Sequence, residues 1–225
     1  MKFINMKTKL FTALLLLSIS FALSCGTGNK TTDDNSHSEM NHNGMSNRAA
    51  NQPPIDHQNM NHSEMKSAPN AAAQPYDLQF LDTMIAHHQG AVEMAKTAET
   101  RAAHAELKTL AKNIISSQEK EIIEMKSWRE KWFAGKESAV NMEMAGMTDS
   151  MKGMEMKTLD SLSGNAFDLE FIKQMIPHHE GAVLMAKEAL QKTQKAEIKT
   201  LANSVVKDQE SEIGQMKTWQ AAWSK

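Results

Sequence analysis

One stretch of this chain occurs twice, and the repetition limits its folds more than any other feature. Tyr76-Asp77-Leu78-Gln79-Phe80 aligns with Phe167-Asp168-Leu169-Glu170-Phe171, at an offset of 91 residues without a gap. The run Met84-Ile85-Ala86-His87-His88-Gln89-Gly90-Ala91-Val92 returns as Met175-Ile176-Pro177-His178-His179-Glu180-Gly181-Ala182-Val183. Farther on, Gln118-Glu119, Glu121-Ile122, Met125-Lys126, Trp128 and Trp132 return as Gln209-Glu210, Glu212-Ile213, Met216-Lys217, Trp219 and Trp223. Such self-similarity marks a structural unit used twice. Apolar residues recur every three to four positions, Gly and Pro are scarce between Asp77 and Trp132, and strand signals are absent, so each unit reads as two helices. A hairpin of that size cannot bury both of its apolar stripes alone. Two hairpins together can, which predicts an all-α four-helix bundle with an internal pseudo-twofold. The expected hairpins are 76–134 and 167–225, joined by a crossover at 135–166 long enough to leave the packing sense open.

At about 100° per residue, one stripe of the first helix carries Asp77, Phe80, Leu81, Met84, His87, His88, Ala91, Met94 and Ala95. The second helix presents Leu107, Leu110, Ala111, Ile114, Ile115, Gln118, Glu121, Ile122, Met125 and Trp128. Histidine therefore faces the core, and buried polar groups are costly unless they are paired. A structural solution exists: His87 or His88 donates to Glu121, and Gln118 satisfies a helix end or another histidine. A metal solution exists as well. Met84 stands three and four residues before the His pair, so thioether sulfur and imidazole nitrogen can converge on one volume. Met175, His178, His179 and Met185 repeat the set, with Met94 the first-copy counterpart of Met185. Met125 and Met216 are further donors on the second helices. Glu121 and Glu212, with Gln118 and Gln209 beside them, are placed to hold the ring tautomers from behind. The competing view is that these methionines only fill core space.

The first 75 residues are of another kind. Lys2, Lys7 and Lys9 precede an apolar run from Leu10 to Leu23 that is short for a membrane span, which needs about 20 apolar residues. This reads as a secretory signal peptide over 1–24. Ala22-Leu23-Ser24-Cys25-Gly26 is similar to a bacterial lipobox, with its Leu one place late, so Cys25 is expected to be lipidated and to anchor the protein in the cell envelope. It is the one Cys of the chain. The mature protein then has no thiolate, and any soft-metal site must use Met or His. From 25 to 75 the composition is polar and small, with Ile55 the one branched aliphatic residue, and predicts a disordered tether. That tether carries one pattern twice: His37-x-x-Met40-x-His42-x-x-Met45 and His57-x-x-Met60-x-His62-x-x-Met65. Imidazole with thioether suits Cu(I), with Ag(I) as its mimic, whereas Mg²⁺ and Ca²⁺ would find poor ligands. His alone could also take Cu(II) or Zn²⁺. The net charge of −2 gives no basic excess for nucleic acid.

The crossover is rich in methionine too: Met142, Met144, Met147, Met151, Met154 and Met156, interrupted by Gly146 and Gly153. Helical spacing would place Met147, Met151 and Met154 on one stripe, so packing and coordination are both open to them. The copies differ at one telling place, where Pro177 replaces Ala86 before the second His pair. Inside a helix, Pro177 predicts a bend and a looser second site. Alternatively it starts a fresh helix as the first residue.

The run D-x-x-F-x-x-x-M-I-x-H-H-x-G-A-V-x-M-A, at Asp77–Ala95 and Asp168–Ala186, followed by Q-E-x-E-I-x-x-M-K-x-W, resembles the bacterial domain of unknown function 305. The resemblance covers Tyr76 to Trp223. It implies a ferritin-like four-helix protein of the cell envelope, in a family some of whose members are associated with periplasmic copper binding and copper resistance. The functional positions it carries over are Met84, His87, His88, Met94 and Met125, with Met175, His178, His179, Met185 and Met216. Ferritin-like oxidases use Glu ligands with a Glu-x-x-His motif. Here the position three residues before each His is Met84 or Ile85, and Met175 or Ile176, so no enzyme is expected. The expectation is a copper sink, or a chaperone that passes the ion to a membrane exporter or another envelope protein. The alternative is a structural or partner-binding module for which metal is irrelevant.

Overall fold

A computed structural model describes residues 65–151 and 153–225. Four long helices carry the fold: α1 (Tyr76–Arg101), α2 (Ala105–Phe133), α5 (Gly164–Lys192) and α6 (Ala196–Trp223). Two short helices, α3 (Met147–Met151) and α4 (Met156–Ser161), lie in the crossover. No strand occurs among the described residues. None of the described helices is long and apolar enough to cross a membrane.

Connections at 102–104 and 193–195 are too short for anything but antiparallel neighbours, and α1 packs on α2 as α5 packs on α6. The hairpins meet through their first helices, α1 against α5. These two run antiparallel: Lys192 lies over the Tyr76 ring at one end, at 5.1 Å, and Arg101 over the Phe167 ring at the other, at 5.4 Å. A pseudo-twofold axis across that pair exchanges the two hairpins and produces the bundle that the duplication predicts. Phe80, Leu81, Phe167, Phe171, Leu107 and Ile114 are fully buried, each such side chain contributing about 1.5–3 kcal/mol through burial.

The ends of the bundle are fastened by related joints built from different chemistry. His104, just before α2, stacks on Trp223 at 3.8 Å and 5°. Its counterpart Lys195, just before α6, lies over Trp132 at 4.7 Å. The first joint has an added clamp. Buried Asp168 accepts the backbone N–H of Ala103 and of His104 and bonds the His104 ring at 2.6 Å. A carboxylate from α5 thus caps the start of α2, where the positive end of the helix dipole favours it.

The crossover is fastened to the bundle from its first residues. Asp82 accepts Arg129 Nε and the Ala139 N–H, both at 2.8 Å, so one carboxylate ties α1, α2 and the crossover together. Thr83 Oγ1 accepts the Asn141 N–H, and Gln79 Oε1 accepts from Asn141 Nδ2. α1 is therefore buried beyond its predicted stripe, at Gln79, Asp82 and Thr83 as well.

Three expectations change. The last residues given to the tether are ordered: Ala71–Ala73 form a 3₁₀ turn, Ala68 N–H donates to Val140 O at 2.8 Å, and Met65 packs against the core. Hydrogen bonds to the crossover supply the ordering that composition could not. α5 begins at Gly164 rather than 167 and runs unbroken through Pro177, which excludes a helix starting at the proline. The lost bond is to the carbonyl of Lys173, an exposed residue. The signal peptide, Cys25 and the tether motifs other than Met65 lie outside the described residues.

Candidate metal centre

Both His pairs sit midway along the first helix of their hairpin, at the place where α1 crosses α5. All four rings are fully buried. Helical geometry turns the two members of each pair in different directions: the rings of His87 and His88 are 6.3 Å apart at 56°, and those of His178 and His179 are 6.2 Å apart at 54°. The outer members, His88 and His179, face their own hairpins. The inner members meet across the pseudo-twofold, with His87 and His178 ring centroids 3.7 Å apart at 32°. The two pairs thus have matching ring geometry although Pro177 precedes the second.

Each outer histidine is held by its own second helix. His88 Nε2 lies 2.7 Å from Glu121 Oε2, and His179 Nε2 lies 2.7 Å from Glu212 Oε2. With the carboxylate as acceptor, Nε2 carries the proton and the lone pair is on Nδ1. In both copies that Nδ1 is buried with no hydrogen-bond partner among the described residues. Gln118 Oε1 and Gln209 Oε1, one helical turn before the glutamates, are buried in the same condition. Four acceptor atoms in two symmetric sets thus lie in the core without a hydrogen-bond donor, an arrangement that costs free energy unless an electrophile serves it. A histidine whose far nitrogen rests on a carboxylate is the usual preparation of a metal ligand, since the carboxylate fixes the tautomer and raises the basicity of the other nitrogen.

The same core contains buried methionines. Met84, Met94 and Met125 in the first hairpin, and Met175, Met185 and Met216 in the second, are fully buried in one continuous core with the histidine helices. Among the described residues, no group of three or more His, Cys, Asp and Glu is arranged to hold a metal.

One participant carries no sequence signal of its own. Ser150, in α3, places Oγ 3.0 Å from His87 Nε2 while donating its hydroxyl proton to Met147 O at 2.8 Å. That serine can then only accept, so His87 also carries its proton on Nε2. Ser150 reaches the ring because α3 lies almost on the backbone of α5: a Cβ on Gly181 would stand 2.3 Å from Ser150 Cβ, and one on Gly146 would stand 2.7 Å from Gly181 Cα. Gly146 has φ +79°, which turns the chain into α3 at the point of contact. The methionine stripe at 147, 151 and 154 points towards the serine that an inspection of sulfur alone passes over.

A family model described as Domain of unknown function (DUF305) matches the chain twice, over residues 26–129 and 77–220. No curated protein matches it significantly. Among solved structures, CopM in its Cu(II)-bound form is 41% identical, covers 65% of this chain and 97% of its own, and superposes with a TM-score of 0.58. CopM in its Cu(I)-bound form is 40% identical over 68% of this chain and 100% of its own, with a TM-score of 0.57. CopM also has an Ag-bound form, 39% identical over 66% of this chain and 98% of its own, with a TM-score of 0.55. A DUF305 protein from Streptomyces coelicolor is 33% identical over 66% of this chain and 92% of its own, with a TM-score of 0.59.

Proposed function

Given that the chain belongs to the DUF305 family, we propose that it is a copper-class metal-binding protein of the cell envelope, holding Cu(I) in preference to Cu(II) and accepting Ag(I) in its place. The observation that carries this reading is the repeated Glu–His dyad: two buried imidazoles, each anchored through Nε2, each with its Nδ1 lone pair in a sulfur-lined core. Neutral imidazole and thioether are the donors that a soft monovalent ion prefers, and neither must shed a proton to bind it. The Cu(I)-, Cu(II)- and Ag-bound forms of CopM, at about the 40% identity quoted above, support the same class of ion.

In this reading the bundle stores its ion and does not convert it. Met84, Met94 and Met125, with their partners in the second hairpin, supply sulfur; Glu121 and Glu212 orient the rings; the rest of the core excludes water. Cys25 would hold the protein to the membrane by its lipid, and the His37 to Met65 motifs would collect ions ahead of the bundle, which acts as a sink or as a chaperone feeding an exporter. Anaerobic Cu(I) titration of the chain beside the variant H87A/H88A/H178A/H179A tests the bundle site. The expected result is loss of the tightest-binding ions with the weaker ones retained. Equal binding by both proteins would leave the tether as the reservoir and make the core histidines structural.

A further inference from the structure

The two hairpins are alike enough that a surface position at which they differ is one the fold does not dictate. Among the described residues, the two large apolar side chains left exposed both fall at such positions. Ile123, 68% exposed on α2, has Gly214 as its counterpart, and Leu184, 52% exposed on α5, has Glu93. A lone exposed apolar residue is ordinary. The charges beside these two, however, also differ between the copies, and in opposite senses. Lys120 is matched by Ser211 on the Ile123 side, and Glu180 by Gln89 on the Leu184 side. From these differences we infer that the α2 ridge of Lys120, Ile123 and Lys126 in one molecule docks into the α5/α6 groove around Leu184 of a second copy of this chain.

The groove has an apolar floor between two carboxylates. Glu180, Val183 and Leu184 of α5 and Glu210 and Ile213 of α6 line it. Lys217 pairs with Glu180 at 2.8 Å and Lys187 with Glu210 at 2.7 Å. Glu210 therefore stands level with Lys187, and the rise of the helix puts the two carboxylates about 10 Å apart along its axis. Gly214 leaves the α6 wall low beside Ile213, since a Cβ there would meet nothing within 4 Å. The ridge has the inverse pattern. Lys120 and Lys126 stand one turn either side of Ile123, about 9 Å apart along the axis. Lys126 is the counterpart of Lys217, but Gln89 stands where Glu180 would pair it, and it makes no ion pair among the described residues. Lys120 reaches only Glu124, at 3.9 Å, while neighbouring Glu119 is already tied to Lys96 at 2.8 Å. Cation, apolar, cation thus meets carboxylate, apolar, carboxylate at matched spacing. Such complementarity steers and orients an encounter, and burial of Ile123 and Leu184 holds it. Ridge and groove belong to different hairpins, so the contact is heterologous: each molecule gives a ridge and receives one, and association runs past the dimer. One ridge in one groove is a small interface, and a weak one.

Sedimentation equilibrium of the full chain tests this, with the variants I123E and L184E and a chelator present so that no metal bridges the molecules. Both side chains are exposed, and L184E installs the residue that the first copy carries, so the unfolding temperatures are expected to match the wild type. The average mass of the wild type should rise with concentration beyond that of a dimer, while each variant alone stays monomeric. Mixed together, the variants should form a one-to-one pair and stop there, because I123E keeps a groove and L184E keeps a ridge. A mixture that stays monomeric overturns the inference, as does self-association of either variant to the wild-type extent. A wild type that remains monomeric up to about 1 mM also overturns it, and leaves the groove to some other occupant.

Discussion

At the scale of single residues, the chemistry is governed by which nitrogen of each ring is occupied. A buried imidazole has two nitrogens and must place one proton. Glu121 and Glu212 each take an Nε2, and so leave Nδ1 of His88 and His179 as the base. Replacing Glu121 and Glu212 by Gln keeps an acceptor oxygen near each ring but removes the charge that makes Nδ1 a better donor. E121Q/E212Q is expected to weaken Cu(I) binding by about 10-fold or more, within the range typical of such supporting groups. Competition with a chromophoric Cu(I) chelator measures it, and unchanged affinity would relieve the glutamates of any part in binding. The pairing of His with Glu was legible from the sequence, because positions 88 and 121 fall on facing stripes of consecutive helices. The division of each His pair into an outer and an inner member was not, since periodicity within one hairpin contains no information about the other hairpin.

Elements show where repetition stops being a guide. Both hairpins and much of their buried stripes follow from spacing alone. The crossover has no second copy to be compared with, and its short helices are stabilised by tertiary contact: five residues of α3 are below the length at which a helix persists unaided. Its glycines read as breakers in the sequence. In the structure one of them, Gly146, permits close backbone contact with Gly181 of α5. Pro177 offers the opposite lesson. Local rules made it a bend or a boundary, yet α5 carries it in mid-course. The first repeat supplies the natural control, with Ala86 in the same place. P177A is expected to raise stability by about 1–3 kcal/mol, part of the usual penalty of an interior proline. Urea unfolding with and without the substitution reads it directly, and no gain would mean that surrounding packing has already absorbed the penalty.

For the whole molecule, the pseudo-twofold has a consequence for assembly. The surface that α1 offers to α5 closely resembles the surface that α5 offers to α1, so a hairpin by itself is a subunit missing its partner. Residues 76–134 produced alone are expected to form a homodimer that rebuilds the bundle with His87 facing its own copy. Sedimentation equilibrium decides the point, and a folded monomer would show that each hairpin can bury its stripes without help. The all-α bundle was legible because duplication forces this complementarity, and only its packing sense needed the structure. Seclusion of the sulfur carries a last implication, about durability. Thioethers reached by peroxide become sulfoxides, polar groups that neither pack in an apolar core nor bind soft ions well. Met84, Met94, Met125, Met175, Met185 and Met216 have no surface through which an oxidant could attack them. Their reactivity is therefore tied to the opening of the bundle, and a chain that stays folded under oxidative attack keeps its ligands in working order.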